Sequence, residues 1–290
     1  MVKDKEIESK VDEKQVLEEE TLPVEQPTEV DVIEEVIEED KVESLLKDRK
    51  ERVIDHAWQP KTSLGMDVKN GVITDIDEIL DSGKNILEAE IVDYLLPNLE
   101  TDLLLIGQSK GKFGGGQRRV FRQTQKKTRE GNKPQFATIA IVGDKNGHIG
   151  IGYGKSRETV PAREKAIRRA KLNLFKIRRG SGSWESDSNE PESIPFKVSG
   201  KCGSTEIHLI PAPKGTGLCV EKECAKILEL AGIKNVWSKS RGHTNTKINL
   251  IQACDAALKQ LSLIKILPNH LNDLNIVDGS TKHEEVVSDE

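Results

Sequence analysis

The sequence predicts an α+β protein in which a β-β-β-α module precedes a β-β-α-β-α module. Two runs of alternating apolar and polar residues flank the dipeptide Asn146-Gly147, and a helical pattern follows them. Strand-like alternation resumes after residue 193 and leads again into a helical pattern. Strands and helices that follow one another at this short spacing are typical of compact α+β domains.

Three strands are predicted at the start of the first module. Residues 118–125, RRVFRQTQ, alternate as a strand, residues 128–134 form a turn-rich loop, and residues 134–143 are the most strand-like segment. Asn146-Gly147 is a strong hairpin signal, because a type I′ turn requires positive φ at both central residues. HIGIGYG, residues 148–154, then returns as the third strand.

A helix is predicted over residues 160–175, with Pro161 in the first turn, where its missing N–H is harmless. At about 100° of rotation per residue, the apolar residues fall on one stripe and the cations on the opposite side. The stripe consists of Ala166, Ile167, Ala170 and Leu174, and the cations are Lys165, Arg168, Arg169 and Lys176. We expect one face to pack on the sheet and the other to present its charges.

The second module begins with two predicted strands, IPFKVSGK and STEIHLIPA. CVEKECAKILELAG predicts a helix that ends at Gly232, NVWSKS a further strand, and INLIQACDAALKQL a final helix. The cysteines have no metal-ligand spacing, so we expect reduced thiols and no metal site. They are Cys202, Cys219, Cys224 and Cys254.

The chain divides into six predicted parts. These are an acidic disordered tail (1–41), a helical extension (42–100), the first module (101–180), a linker (181–193), the second module (194–268) and a second acidic tail (269–290). In the extension, Thr74 is the expected cap of a helix that buries Ile76, Ile79 and Leu80, and another helix should stop at Pro97. The first ten residues have no apolar stretch, so we expect no signal peptide and a cytoplasmic protein.

Charge is distributed unevenly along the chain, whose formal net charge is −5. Residues 1–50 carry 18 acids and 8 bases, and residues 269–290 carry 6 acids and one base. Residues 109–180 instead carry 20 Lys or Arg and only four acids. A positive block of this density repels itself unless a polyanion neutralises it, so nucleic acid is the expected partner.

The glycine-rich stretch GDKNGHIGIGYGKSRE, residues 143–158, ends on Gly-Lys-Ser but is not a P-loop. A P-loop requires glycine five positions before the glycine of Gly-Lys-Ser, and Ile149 occupies that position. The stretch also follows a hairpin turn, whereas a phosphate cradle lies between a strand and a helix N-terminus. We interpret it as a strand whose glycines allow close backbone approach, with RNA as one candidate for the approaching backbone.

The sequence offers no convincing catalytic residues. PAPKGTGL, residues 211–218, precedes a helix as an anion-binding loop does, but no metal-binding Asp, general base or nucleophile accompanies it. We interpret it as a tight turn that contacts phosphate through Lys214. The six histidines have no paired spacing, so His208 is expected to pack in a strand and His243 to lie in a turn. We expect no enzyme and no cofactor.

The predicted loop at residues 125–133, QKKTREGNK, is rich in cations that have no role in a core. With the arginines just before it, this loop is expected to follow a nucleic-acid backbone. Aromatic residues near the positive block are few, so stacking on single-stranded bases is a poor explanation of the block. Double-helical RNA fits better, because its base edges lie in a groove that side chains cannot read.

Several motifs occur in a fixed order from about residue 58 to about residue 266. They are GDKNGHIGIGYGKSRE, PAREKAIRRAKLNL, RRGSGSW, PFKVSGKCGS, LIPAPKGTGL and LELAGIKNVWSKSRG, followed by the final helix. Together they resemble the fifth universal protein of the small ribosomal subunit, in its archaeal and eukaryotic branch. The order of the motifs makes the resemblance more specific than any one of them.

The resemblance implies a first domain similar to the double-stranded-RNA-binding fold and a second domain of βαβ type, which also occurs in small-molecule kinases. It implies binding of small-subunit rRNA near the body–head junction and the channel by which mRNA enters. It also implies roles in decoding accuracy, subunit assembly and mRNA unwinding. The implied partners are rRNA, mRNA and small-subunit proteins two, three, four and eight. By position, residues 125–133 correspond to a loop that reaches toward the head, and residues 146–155 to a sheet segment on rRNA.

Two departures from the family pattern affect the expectations. Archaeal relatives often carry a cysteine pair after the tryptophan of the linker, whereas Trp184 is followed here by Ser186 and Ser188. No metal site is therefore assigned to the linker. The insert at residues 107–117 is unusually glycine-rich, and it makes the start of the first strand hard to predict.

The predicted function is that of a structural rRNA-binding protein of the small ribosomal subunit, without catalysis. The alternatives are a free RNA chaperone that uses the same surface and a small-molecule kinase. The candidate rRNA-binding residues are Arg118, Arg119, Arg122, Lys126, Lys127, Arg129, Lys133, Lys145, Asn146, Gly147, Lys155, Arg157, Lys165, Arg168, Arg169, Arg178, Arg179, Lys214 and Arg241.

Overall fold

The computed structural model describes residues 58–109, 116–186 and 190–280. The acidic tail predicted for residues 1–41 and much of the insert at 107–117 lie outside these residues. The helices are α1 (Ser63–Lys69), α2 (Ile76–Asp81), α3 (Ala89–Leu95), α4 (Thr159–Leu172), α5 (Lys222–Leu230), α6 (Lys247–Leu263) and α7 (Pro268–Asp273). The strands are β1 (Glu100–Leu103), β2 (Arg122–Thr128), β3 (Gly131–Gly143), β4 (His148–Ser156), β5 (Leu174–Lys176), β6 (Arg178–Arg179), β7 (Val198–Cys202), β8 (Thr205–Pro211), β9 (Leu218–Cys219), β10 (Val236–Arg241) and β11 (Val277–Asp278).

The first sheet is built around the long strand β3 and is antiparallel throughout. One edge of β3 pairs with β2 along its first half and with β1 along its second half. The other edge pairs with β4, which in turn pairs with β5. Because β2 contacts only the first half of β3, these two strands extend from the sheet as a two-stranded ribbon.

The second sheet has the order β7-β8-β10-β9, in which only the β9–β10 pairing is parallel. Helix α6 packs against β7 and β8. At Gly200 of β7, an added Cβ would lie 1.9 Å from the carbonyl oxygen of Ala253 in α6. A side chain at this position would therefore push the helix away from the sheet.

Helix α4 lies against β4 at a distance that only glycine permits. An added Cβ at Gly150, Gly152 or Gly154 would lie 2.1–2.2 Å from backbone atoms of Ala170, Ala166 or Ala162, respectively. These three alanines are fully buried. The prediction of close backbone approach is confirmed, but the approaching backbone is that of α4 and not that of RNA.

One hydrophobic cluster joins the two predicted modules. It includes Ile139, Ile141 and Ile149 from the first sheet together with Leu209 of β8 and Ile227 of α5. All five side chains are at most 2% exposed. Strands β3 and β4 thus place α4 on one face of their sheet and the second module on the other.

The helical extension has a core of its own that also reaches the first sheet. Trp58, Ile79, Ile91 and Val92 form this cluster with Leu174 of β5. The indole N–H of Trp58 donates a hydrogen bond of 2.9 Å to Glu88. The predicted helices before Pro97 are confirmed, although Asp75 and not Thr74 is the N-cap of α2.

The predicted loop at residues 128–134 is wrong. The structure has only a two-residue turn, Arg129-Glu130, between β2 and β3, so the cations of this region lie on paired strands. The first predicted strand begins at Arg122, four residues later than expected. Alternation predicted the two strands but not the point at which their pairing stops, because pairing is made by backbone N–H and C=O groups, which exposed polar residues also supply.

The hairpin between β3 and β4 is confirmed, but its predicted type I′ turn is wrong. The connection spans Asp144 to Gly147, and positive φ occurs at Lys145 and Gly147 and not at Asn146. The Asp144 carboxylate accepts hydrogen bonds from the backbone N–H groups of Asn146 and His148 at 2.8 and 3.1 Å. This side-chain capping stabilises a longer turn than the dipeptide alone requires.

The ends of two predicted elements also need correction. Helix α4 stops at Leu172, and Leu174 and Lys176 belong to β5, where Lys176 is ion-paired with Asp81 instead of facing outward on the helix. The acidic tail predicted from residue 269 is folded as far as residue 280. It contains α7 and β11, and β11 pairs with β6.

Buried His148 connects three separate parts of the chain. Its Nδ1 lies 2.5 Å from Asp144 and its Nε2 lies 2.8 Å from Asp77 of α2. The hydroxyl of Ser280 donates to the same Asp77 carboxylate at 3.1 Å. Both ring nitrogens face carboxylates, and only the imidazolium form can donate from both. Local sequence patterns did not predict this contact, because Asp77 and Ser280 are far from His148 along the chain.

The contacts around His148 shift the pKa values of His148 itself and of Asp77. Burial alone lowers the pKa of His148, but hydrogen bonds and charge interactions with Asp144 and Asp77 outweigh it and raise the pKa to about 9. Burial raises the pKa of Asp77, but the contacts with His148 and Ser280 dominate and lower it to about 2. Each shift favours the ion pair.

We predict that Gly152→Ala lowers the free energy of unfolding by about 3 kcal/mol, because the added methyl group meets helix backbone that cannot rotate away. Urea unfolding followed by circular dichroism measures the change. Lys155→Ala, on an exposed position of the same strand, is the control and should cost less than about 0.5 kcal/mol. Equal losses for the two variants would contradict the role of the glycine.

We predict that the stability contributed by His148 is fully present below its unfolded pKa of 6.5 and is lost as the pH rises through about 9. The contribution of Asp77 is present above its ordinary pKa of 3.8 and is lost as the pH falls through about 2. Urea midpoints measured from pH 6 to pH 9.5 should therefore fall in the wild-type chain.

His148→Asn should lower stability at pH 6 and flatten the decline of the midpoint toward pH 9.5. His243→Gln, which changes an exposed histidine, should leave the decline intact. A variant without His148 that keeps the full decline would show that another group causes it.

Candidate nucleic-acid interface

The cations predicted to follow a nucleic-acid backbone lie on the ribbon formed by β2 and the first half of β3. All residues from Arg122 to Lys127 are exposed, as are residues 129–134 across the turn. A seven-residue strand is about 24 Å long. The ribbon therefore presents Arg122, Lys126, Lys127, Arg129 and Lys133 to solvent on an arm that has no core of its own.

Like charges oppose one another on this ribbon. Lys126 lies directly opposite Lys133 in the strand register. Among the residues that the structure describes, only Glu130 forms an ion pair with either lysine. It pairs with Lys133 at 2.8 Å on a largely exposed surface, where the pair adds little stability. Two lysines in register destabilise an isolated hairpin, and a phosphate between them would remove the repulsion.

A second group of cations surrounds a depression between the end of β4 and the start of α4. The depression has a volume of about 780 Å³. Lys155, Arg157, Lys165 and Arg169 line it, together with Gln135, Tyr153, Ser156, Glu158 and Pro161. Arg169 donates a hydrogen bond of 2.8 Å to the carbonyl of Tyr153, which holds its guanidinium over the strand. The spacing of α4 from β4 thus determines where these charges lie.

Three of the candidate residues face inward. Arg179 is 6% exposed and its guanidinium donates to the carbonyls of Lys145 and Gly279 at 3.4 and 3.3 Å. Arg178 donates to the carbonyl of Ile264 at 2.6 Å and pairs with Asp278. Gly147 is buried, and an added Cβ would lie 2.6 Å from the Gly279 carbonyl oxygen. These residues hold the folded C-terminal segment, so we remove them from the candidate interface.

The remaining candidates lie at separate places on the surface. Arg118 is half-buried and donates to Asn245 at 2.5 Å, and Arg119 is exposed. Lys145 is exposed and pairs with Glu100 at 2.5 Å, next to exposed Asn146. Arg168 is exposed on α4, Lys214 is paired with Glu190 at 2.8 Å, and Arg241 ends β10. The structure therefore brings together two groups of cations, on the ribbon and beside α4, and leaves the others apart.

The segment PAPKGTGL does not form a phosphate loop at a helix N-terminus. Its last residue, Leu218, belongs to strand β9, and residues 219–221 separate it from α5. The carboxylate of Glu221 accepts hydrogen bonds from the N–H groups of Glu223 and Cys224, and it also pairs with Lys247 at 2.6 Å. The first turn of α5 is thus already capped by an anion of the same chain.

The described residues provide no arrangement typical of a metal or catalytic site. Within residues 58–109, 116–186 and 190–280, no three His, Cys, Asp or Glu side chains are grouped closely enough to hold a metal ion. Cys224 and Cys254 are buried free thiols, and the hydrogen bond from Cys254, together with burial, raises the pKa of Cys224. A thiol with a raised pKa is a poor nucleophile. In the same part of the chain, no helix combines the length and apolarity needed to cross a bilayer.

Two family profiles match the chain in the regions of its two modules. Residues 120–178 match the profile of ribosomal protein S5, N-terminal domain. Residues 200–268 match the profile of ribosomal protein S5, C-terminal domain. The match to the N-terminal domain covers both groups of cations completely, whereas Arg118 and Arg119 lie just before it.

Archaeal proteins are similar to the chain over most of its length. The small ribosomal subunit protein uS5 of Nanoarchaeum equitans is 51% identical over 223 residues, which are 77% of this chain and 96% of that protein. The protein of the same name from Methanocaldococcus jannaschii is 44% identical over 77% of this chain and 95% of its own length. That of Pyrobaculum calidifontis is 45% identical over 72% and 96% of the two chains.

We predict that replacing Lys155, Arg157 and Lys165 together by glutamine weakens binding to double-helical RNA and makes it less sensitive to salt. The slope of log affinity against log salt should become shallower by about 2, since each neutralised phosphate contributes about 0.7–0.9. Filter binding at several salt concentrations measures this slope.

The control variant replaces Lys84, Lys222 and Lys265, which are exposed elsewhere on the surface, and so removes the same charge. Its salt slope should stay near that of the wild type. If both variants changed the slope equally, net charge and not the group beside α4 would govern binding.

Proposed function

Because this chain belongs to the ribosomal protein S5 family, we propose that it is a structural constituent of the small ribosomal subunit that binds rRNA. The family is one of structural proteins of translation and not of enzymes, and it works in the small subunit in the cytoplasm. The observation that carries the RNA-binding part is the presence of two groups of exposed cations with few acids nearby.

In this proposal the ribbon and the group beside α4 neutralise phosphates of folded rRNA. The ribbon presents cations on both faces and has no apolar side chain from residue 122 to residue 127. It therefore suits a groove or junction lined by phosphates from two sides. The group beside α4 is broader and suits the backbone of a single RNA helix.

Finer features follow from the family and remain part of the proposal. Residues 101–180 would form a domain similar to the double-stranded-RNA-binding fold, and residues 194–268 a domain of βαβ type, with 181–193 as the linker. The chain would lie near the body–head junction and the channel by which mRNA enters, beside small-subunit proteins two, three, four and eight. The ribbon would reach toward the head, in support of decoding accuracy and subunit assembly.

Sedimentation of the tagged full-length chain from cells of its source tests the function. We predict that it migrates with small subunits through a sucrose gradient, because its cations are neutralised in the assembled particle. A chain that stays at the top of the gradient would contradict this and would favour a free RNA chaperone. Saturable, magnesium-dependent binding of ATP by the isolated chain would instead favour a kinase.

The ribbon can be tested in the same gradient. Replacing Lys126, Lys127 and Arg129 by glutamine should reduce the fraction that migrates with small subunits. The variant that replaces Lys84, Lys222 and Lys265 is again the charge-matched control. Equal incorporation of both would show that the ribbon does not contribute to assembly.

A further inference from the structure

The second sheet has an outward face that the basic groups described above do not include. Helix α6 packs against β7 and β8 on the inner face, where Val198, Ile207, Leu209 and Val236 are buried. The alternate residues of the same strands point the other way and are exposed or half-buried. They form what we call the outer face of the second sheet.

The strand register arranges this outer face in three rows. The first row is Lys201, Glu206 and Arg241, the second is Ser199, His208 and Lys239, and the third is Ile210, Trp237 and Cys219. Trp237 lies in the middle of the third row and is 36% exposed. The ring of Trp237 thus lies on an exposed sheet face. Ile210 is beside it on β8, and Lys239 and Arg241 follow it along β10.

The charge of the outer face is positive. Glu206 is its only acid, and it pairs with Lys201 at 2.7 Å and lies opposite Arg241. The pKa of Glu206 is lowered, chiefly by its hydrogen bond to Lys201. Lys239 has no ion-pair partner in the described part of the chain, and exposed Lys197 stands at the entrance to β7. More cations than acids therefore surround the ring.

We infer that the outer face of the second sheet binds unpaired RNA nucleotides, with one base stacked on Trp237 and neighbouring phosphates on Lys239 and Arg241. The three residues alternate along β10, so the two charges follow the ring at about 7 and 14 Å along the strand. An aromatic platform beside aligned cations is the general means by which proteins hold single-stranded RNA. The inference rests on the proposed function, and it adds a site for a different form of RNA from that held by the ribbon and by α4.

A two-component binding experiment on the full-length chain tests the site. Unlabelled double-helical RNA is added first, to occupy the two groups of cations on the ribbon and beside α4. A fluorescent oligouridylate of about ten nucleotides is then titrated. Trp237→Ala should weaken oligonucleotide binding about tenfold, since stacking of one base is worth about 1–3 kcal/mol. Trp237→Phe should restore most of the affinity, because it keeps an aromatic ring.

Matched controls distinguish this site from the two groups of cations on the ribbon and beside α4. Trp184→Ala removes another tryptophan, which is 91% exposed, and should leave oligonucleotide binding unchanged. The variant of Lys155, Arg157 and Lys165 should bind double-helical RNA less well but keep its affinity for the oligonucleotide. If Trp237→Ala changed nothing, or if the Phe variant failed to restore binding, the inference would be overturned while the proposed function could still stand.

The assembled small subunit provides a second readout. A photoreactive benzoylphenylalanine in place of Ile210 lies next to Trp237 and should crosslink to rRNA when the particle is irradiated. Capture of a protein in place of RNA would show that the outer face is a protein-docking surface and would overturn the inference. Absence of any crosslink would overturn it as well.

Discussion

The contact between α4 and β4 determines the rest of the first module. Three glycines on one strand face three buried alanines on the helix, so the two backbones meet without side chains between them. Such a contact has a single register, because a shift by one residue would place Ile151 or Tyr153 against the helix. The helix is thereby fixed in rotation, and its cations are held at the edge of the sheet where the depression forms.

Two further contacts fix the position of this module relative to the rest of the folded protein. The cluster of Ile139, Ile141 and Ile149 packs against the helix and strands of the second module, so the two predicted domains share one core. His148 joins α2, the turn after β3 and the segment at Ser280 through two carboxylates. A shared core resists relative motion of the modules, and a buried ion pair adds directional constraints that apolar packing lacks.

The folded chain divides its many cations between two roles. Those near β6 are used inside the protein, where Arg178 and Arg179 donate to backbone carbonyls and close the C-terminal segment onto the core. Those on the ribbon and beside α4 have few acidic neighbours and face solvent. Both groups belong to the same positive stretch of sequence, so charge density alone does not distinguish a structural arginine from one that is available to RNA.

The sequence by itself determined the order of the main strands and helices of the two modules, because alternation and helical periodicity reflect the local geometry of strands and helices. It did not predict the short elements β1, β5, β6, β9, β11 and α7. It also determined the family, through ordered motifs such as PAREKAIRRAKLNL, and the concentration of positive charge. Only the tertiary structure decided that Gly150, Gly152 and Gly154 face a helix and not RNA. It also decided the pairing of β11 with β6 and the contacts of His148. These features depend on residues far apart in the chain, and local patterns contain no information on which distant partners will meet.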